Sequence, residues 1–241
     1  MSEPLLVATE VTKRFGGFLA LDRVDLSVGA GERVGLIGPN GSGKSTLVSC
    51  IAGTLRHGGA IRFDGKDLAP LPPHRRNRLG IARSFQIPRP FTSMTALDNV
   101  LVPLVHSGAG PRSRRGDVVS EGLAVLKEVG LAEKAHQPSR ELTQVDLRKL
   151  ELARAIAARP RLLIADEALA GLSASEVDEV LAILLDMRSR GVAVILIEHI
   201  MRAVMRFSDR VAVLVAGRKI ADGPPDRVLR DAAVERAYLG E

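Results

Sequence analysis

The sequence of 241 residues contains no tryptophan, one tyrosine, six phenylalanines and one cysteine. So small an aromatic stock leaves little material for stacking successive bases, and no nucleic-acid partner is expected. The lone Cys50 excludes an intramolecular disulfide and fits a reducing compartment. It falls in a segment read as a helix, where a buried structural thiol is expected. No apolar run approaches the ~20 residues of a membrane-spanning helix, so any membrane role is expected through a partner. The chain opens Met-Ser-Glu-Pro, without the basic segment and apolar run of a secretory leader, and none is expected. Internal repeats and low-complexity tracts are also lacking. There is no acidic excess: 34 Lys and Arg against 28 Asp and Glu leave a net charge of +6. Such a surface suits an anion, whether nucleotide, nucleic acid or the inner face of a membrane. A hydrophobic content of 46% supports a sizeable core. The length fits one large domain or a domain with an inserted subdomain.

What is present is the run Gly38, Pro39, Asn40, Gly41, Ser42, Gly43, Lys44, Ser45, Thr46. It matches the full phosphate-binding pattern of a glycine, four residues, then Gly-Lys-Ser. Val34–Ile37 before it reads as a buried strand, and Leu47–Ala52 after it as a helix. Glycines let the chain curl so that successive N–H groups point at an anion, and the helix N-terminus adds partial positive charge. Lys44 can reach the outer phosphates and the Ser45 hydroxyl can ligate Mg²⁺. The alternative is a plain glycine-rich turn, which the coincidence of motif and flanks disfavours. The pattern implies a nucleoside triphosphate.

Short strands and turns fill residues 5–37: Leu5–Ala8, Leu26–Val28 and Arg33–Ile37, with turns at Gly16-Gly17 and Gly29–Gly31. Ala60–Phe63 followed by Asp64-Gly65 predicts a strand entering a hairpin. Residues 70–90, rich in proline and arginine, read as connecting segments. From about 93 to 158 the pattern is helical, with Leu123, Leu126 and Val129 on one helix and Leu147, Leu150 and Ala157 on a later one. The basic stretch Gly108–Gly116 reads as a solvated loop. Strand and helix then alternate again: Leu162–Ala165, helix Glu176–Met187, strand Val192–Ile197, and a hairpin over 211–221. This is an α/β core interrupted by a helical insert.

Asp166-Glu167 sits at the C-terminal end of a continuously apolar strand, where parallel sheets place their ligand sites. Asp166 can hold Mg²⁺ through its water shell, and Glu167 can polarise an attacking water. A solvated helix start is the bland alternative for such a pair. His199 follows the next buried strand in Ile197-Glu198-His199, which puts it at the same sheet edge. No role is assigned to His57, His74, His106 or His136. Gln86, in Arg83-Ser84-Phe85-Gln86, lies where the core gives way to the insert and can contact Mg²⁺ or water.

This ordered set resembles the ATP-binding subunit of ABC transporters over essentially the whole chain. The type that energises branched-chain amino acid import is the most similar, on Arg14-Phe15-Gly16-Gly17, Arg83–Gln86, Ala170-Gly171-Leu172, Ile197-Glu198-His199 and the ending Ala237–Glu241. The resemblance implies one ABC ATPase domain over 1–241, a P-loop NTPase α/β fold. A nucleotide-binding core with an antiparallel β subdomain would occupy 1–87 and 159–241, and a helical subdomain 88–158. It implies adenine stacking by Phe15, ATP on residues 38–46, and Mg²⁺ near Ser45, Gln86 and Asp166. Glu167 would be the catalytic base and His199 the switch histidine. It also implies transmembrane permease subunits, an extracytoplasmic substrate-binding protein acting indirectly, and a peripheral position on the cytoplasmic face of the membrane.

One segment departs from the family. Its signature, commonly Leu-Ser-Gly-Gly-Gln, falls here on Leu142-Thr143-Gln144-Val145-Asp146, with the register fixed by Leu150–Arg154. In the family this segment contacts ATP held by the other subunit of a dimer. Gln144 and Val145 replace both glycines, and Asp146 puts a carboxylate near that phosphate or serves as N-cap of the next helix. Ala168 and Ser173 are smaller departures. A heterodimer is therefore favoured over a homodimer, with this chain's ATP meeting another subunit's standard signature. The rival readings are a soluble ABC ATPase acting on nucleic acid or ribosomes, and a non-catalytic switch that dimerises on ATP.

Overall fold

The computed structural model describes residues 3–84, 88–106 and 115–239. It opens with β1 (Leu6–Phe15), β2 (Phe18–Val28) and β3 (Arg33–Ile37), then α1 (Lys44–Ala52). The hairpin β4 (Gly58–Phe63) and β5 (Lys66–Asp67) follows, then α2 (Pro73–Arg78) and β6 (Ile81–Arg83). Three helices come next: α3 (Ala96–His106), α4 (Arg115–Glu128) and α5 (Gln144–Ala157). Strand and helix then alternate through β7 (Leu162–Asp166), α6 (Ala174–Asp186), β8 (Ala193–Ile197), α7 (Met201–Phe207) and β9 (Arg210–Val215). The chain ends in β10 (Arg218–Gly223), α8 (Pro225–Val228) and α9 (Ala232–Leu239).

The strands form two sheets. An antiparallel one has the order β2-β1-β4-β5, and a six-stranded one has the order β10-β9-β3-β8-β7-β6. In the larger sheet β9, β3, β8, β7 and β6 are parallel and β10 is an antiparallel edge. Its central strands are apolar throughout because both faces are covered. Leu163, Ala165, Val194 and Leu196 face a core shared with α3 to α6. Leu162, Ile164, Ala193, Ile195 and Ile197 face the other way, onto α1 and the antiparallel sheet. Cys50 lies in that second core, and burial pushes its thiol up to about 11.

The segment 70–90 is more than a connection. It contains α2 and β6, and β6 is the outer parallel strand, paired to β7 through Ile81–Leu162 and Arg83–Ile164. Buried Arg76 explains the order here. Its guanidinium donates to the carbonyls of Cys50, Ile51, Leu68 and Leu71, and so takes up the last carbonyls of α1. Gln86 and residues 108–114 of the basic stretch lie outside the described residues. Arg115 and Gly116 belong to the start of α4.

Parallel strands share one C-terminal edge. The register pairs Leu36 with Ile197, Asp166 with Ile197, and Arg83 with Ile164. The loops after β3, β6, β7 and β8 therefore open side by side.

Candidate nucleotide site

The loop after β3 is held by close backbone approach. A Cβ on Gly38 (φ 148°) would sit 2.0 Å from the Leu214 carbonyl oxygen, and one on Gly43 (φ 104°) 2.7 Å from that of Ala20. Neither position tolerates a side chain. Gly43 is also the N-cap of α1, so no side chain caps this helix, and its first turn has no acidic residue. The N-terminal N–H groups of α1 are left to an anion. Lys44 is buried, and its Nζ donates to the carbonyls of Gly38 (2.7 Å) and Pro39 (2.9 Å). Burial lowers its pKa, while the charges of Glu167 and Asp166 act to raise it. Phe15 ends β1, about half exposed, with Lys13 Nζ 5.0 Å from its ring centre. It stands on the hairpin whose second arm carries Ala20 against Gly43.

Asp166 ends β7 with its side chain buried, and Arg83 Nη2 donates to its Oδ2 at 2.6 Å. Glu167 turns the chain sharply, with φ of 49°, a region sparsely used by residues other than glycine. Its N–H is held by the Ile197 carbonyl at 3.0 Å. From β8, His199 brings Nε2 to 3.6 Å from Glu167 Oε1. Asp166, Glu167 and His199 thus gather at the edge that carries Lys44. Ser45 and Asp166 offer hard oxygens, which suit a Mg²⁺ held largely by water and phosphate. Among the described residues no group of three His, Cys, Asp or Glu could by itself hold a metal.

The segment 142–146 is resolved by its capping chemistry. The N-cap of α5 is Thr143, not Asp146. Asp146 is the third helical residue and completes a capping box. Its Oδ2 accepts from Thr143 Oγ1 (2.7 Å), from the Thr143 N–H (3.3 Å) and from Lys134 Nζ (2.5 Å). Burial works to raise this carboxyl, but those bonds outweigh it and the net shift is downward. Thr143 and Gln144 are exposed, and Val145 is half-buried. Gln144 Nε2 would meet a Cβ on Gly171 at 2.7 Å, so it lies against the loop that follows Glu167.

A family model described as ABC transporter matches residues 21–170. The chain belongs to the ABC transporter family. It is an ATPase of that family, an ATP-binding and ATP-hydrolysing transporter subunit. A second family model, branched-chain amino acid ATP-binding cassette transporter, matches residues 218–241. The chain is 40% identical to the high-affinity branched-chain amino acid transport ATP-binding protein BraF of Pseudomonas aeruginosa, over 100% of both chains. It is 30% identical to the ADP conformation of the ATP-binding cassette MJ1267, with a TM-score of 0.90 over 100% of both chains. It is 25% identical to the dimeric bacterial cassette MJ0796, with a TM-score of 0.83 over 91% of this chain and 98% of the other.

Three polar residues of this ABC ATPase, half-buried Arg83 and buried Glu198 and Arg148, bear on the site without a role of their own in the motifs named above. Arg83 pairs with Asp166 and also donates to Ser49 Oγ at 3.1 Å, beside the P-loop helix. Glu198 is 2% exposed and accepts from the N–H groups of Leu169 (2.8 Å) and His199 (3.3 Å). Burial pushes its carboxyl up to about 7, the two N–H donors pull it down, and the charge of Glu167 adds to the rise. Arg148 of α5 donates to the Ala170 carbonyl at 3.1 Å. One signal for Glu198 was available: a charged residue directly after six apolar ones must find partners at the sheet edge.

Proposed function

We propose that this ATPase drives an importer for branched-chain or closely related small amino acids. Likeness to a branched-chain transport ATPase over the whole of both chains carries this reading. The match of residues 218–241 to the branched-chain family model supports it independently. In this reading ATP binds residues 38–46 with Lys44 on the outer phosphates, and Phe15 stacks on adenine. Ser45, Gln86 and Asp166 would hold Mg²⁺, which would supply charge neutralisation at the phosphates. Glu167 polarises the attacking water and His199 steadies it, a division of roles their 3.6 Å spacing allows.

The remaining proposals concern assembly. ATP closes a head-to-tail dimer, hydrolysis reopens it, and the work passes to permease subunits at the cytoplasmic face of the membrane. The three-helix region within 88–158 forms the docking subdomain. A cleft of about 520 Å³ between α2, β6, α3 and α5 supports docking on that side; His74, Arg78, Arg83 and Arg154 are among its lining. A heterodimer is favoured, because Asp146 puts a carboxylate in the first turn of α5, where a partner's phosphate would approach.

The deciding experiment is Mg-ATP turnover by the purified chain beside Glu167→Gln, with dimer mass followed in parallel. Turnover that falls about 10²–10⁴-fold in the variant, with ATP still bound, supports Glu167 as base and shows that two copies suffice. Normal turnover in the variant moves the base elsewhere. Binding without turnover by the unaltered chain calls for a second, different ATPase subunit; turnover restored by that subunit supports the heterodimer, and continued silence supports a non-catalytic switch.

A further inference from the structure

Two hydrogen bonds stitch the loop after β7 to the end of β8, and a third, local to the strand end, braces the backbone of His199. The Glu167 N–H meets the Ile197 carbonyl, and the N–H groups of Leu169 and His199 meet the two oxygens of one carboxylate, Glu198. Each oxygen serves a different loop. Leu169 lies two residues beyond Glu167, and His199 directly follows Glu198. From the other side Arg148 holds the Ala170 carbonyl, so the loop is gripped on both flanks. A buried carboxylate is costly, and an apolar residue would fill the same space more cheaply. What an apolar residue cannot do is accept two N–H groups that arrive from separate segments.

We propose that Glu198 is a positioning residue: it fixes the loop carrying Glu167 against the strand end carrying His199, and so sets the spacing of those two groups. The inference rests on the reading of Glu167 and His199 as the pair that acts on ATP. Among the described residues the hydrogen bonds of Glu198 go to Leu169 and His199, outside the nucleotide loop and the signature segment. Its effect is on rate, through geometry, and not on affinity. Glutamine at this position is nearly isosteric but offers one acceptor oxygen, so its amide must turn NH₂ toward one of the two N–H donors. One of the two loops is then released.

The test compares the unaltered chain with Glu198→Gln, His199→Ala, the double variant and Glu167→Gln, in the assembly that turns over ATP. Glu198→Gln is expected to lower kcat about 10–10²-fold, the scale of a small misplacement, with KM for ATP unchanged within about threefold. Added to His199→Ala it should cost less than about threefold more, since both act on one geometry. Hydrogen exchange at the Leu169 amide should be slow in the unaltered chain and about tenfold faster in Glu198→Gln. Three results would overturn the proposal: kcat within twofold of the unaltered chain, a full additive loss with His199→Ala, or kcat and KM changing together with stability. If Glu198→Gln does not fold, exchange in the unaltered chain decides, because a Leu169 amide as labile as an exposed loop amide overturns the proposal. Normal turnover in both Glu167→Gln and His199→Ala would sink the reading of the site instead, and is distinguishable from these.

Discussion

Helices α1, α5 and α6 start in two different ways. Helix α1 begins at a glycine, with no side-chain cap and no acidic residue in its first turn. Helices α5 and α6 begin at Thr143 and Ser173, each inside a complete capping box closed by Asp146 or Glu176. The first leaves its N–H groups to a ligand; the other two consume theirs. Helices α2 and α7 also start without a side-chain cap or an acidic first turn, so the open start of α1 marks a binding helix only together with its glycine loop and Lys44. The contrast also bears on the altered signature. A partner's phosphate approaching α5 meets a dipole already answered by the Asp146 carboxylate, whereas one at α1 meets an open dipole and Lys44.

The contrast breaks most visibly at Lys44. Its ammonium lies among loop carbonyls whose place at the anion it shares, and Lys44→Ala removes the one mobile charge of that helix start. Affinity for ATP should fall about 10²-fold, the scale of a lost charge-assisted hydrogen bond. Equilibrium binding of a fluorescent ATP analogue checks this. Undiminished affinity would mean that the open helix start does not hold the phosphates.

Much of this was legible because it is local. The P-loop, its strand and its helix occupy one stretch of chain, and Gly38 and Gly43 announce the close approaches that the fold then makes. Asp166, Glu167 and His199 were placed by the rule that parallel strands share one productive edge. The capping of α5 is half legible: an N-cap at Asp146 is one of two expectations there, and the cap falls on the Thr143 hydroxyl three residues earlier, with Asp146 closing the box. What stayed hidden depends on pairing at a distance. Strand β6 has three residues, lies between prolines and arginines, and exists because β7 is there to receive it. Glu198 answers an N–H from Leu169, which only the β7–β8 pairing brings near.

Glu198 supplies a third way to satisfy backbone donors, from a buried side chain of another strand, and it has a pH signature. Its folded carboxyl is raised to about 7, above the ordinary ~4.3, with Glu167 and Arg148 as its charged neighbours. The folded state therefore binds more protons between these values than the unfolded state does. Its contribution to stability is fully present below about pH 4 and is lost as pH rises through 7, by roughly 3–4 kcal/mol. The difference in unfolding free energy between the unaltered chain and Glu198→Gln isolates this group. That difference should shift against the unaltered chain between pH 4 and pH 8; a difference independent of pH would show that the carboxyl titrates normally.

The smallest expected effect sharpens the comparison of α5 with α6. Both boxes have the same pattern, but Asp146 is buried and paired with Lys134, whereas Glu176 is half-buried and its cap Ser173 exposed. Asp146→Ala should cost about 1–2 kcal/mol in urea unfolding, and Ser173→Ala less, because water replaces an exposed cap more readily than a buried one. Asp146→Asn is the more telling change. It keeps an acceptor for the Thr143 N–H while removing the charge that answers the α5 dipole. If that charge is what weakens this helix start toward a partner's phosphate, ATP-driven dimerisation of the variant should tighten about two- to fivefold, the worth of one charge at a helix terminus. Sedimentation of the Glu167→Gln background with and without Asp146→Asn measures this. Unchanged or weaker dimerisation would place the obstacle in Gln144 and Val145, whose side chains stand where the family keeps glycine, and the two helix starts would then differ in shape rather than in charge.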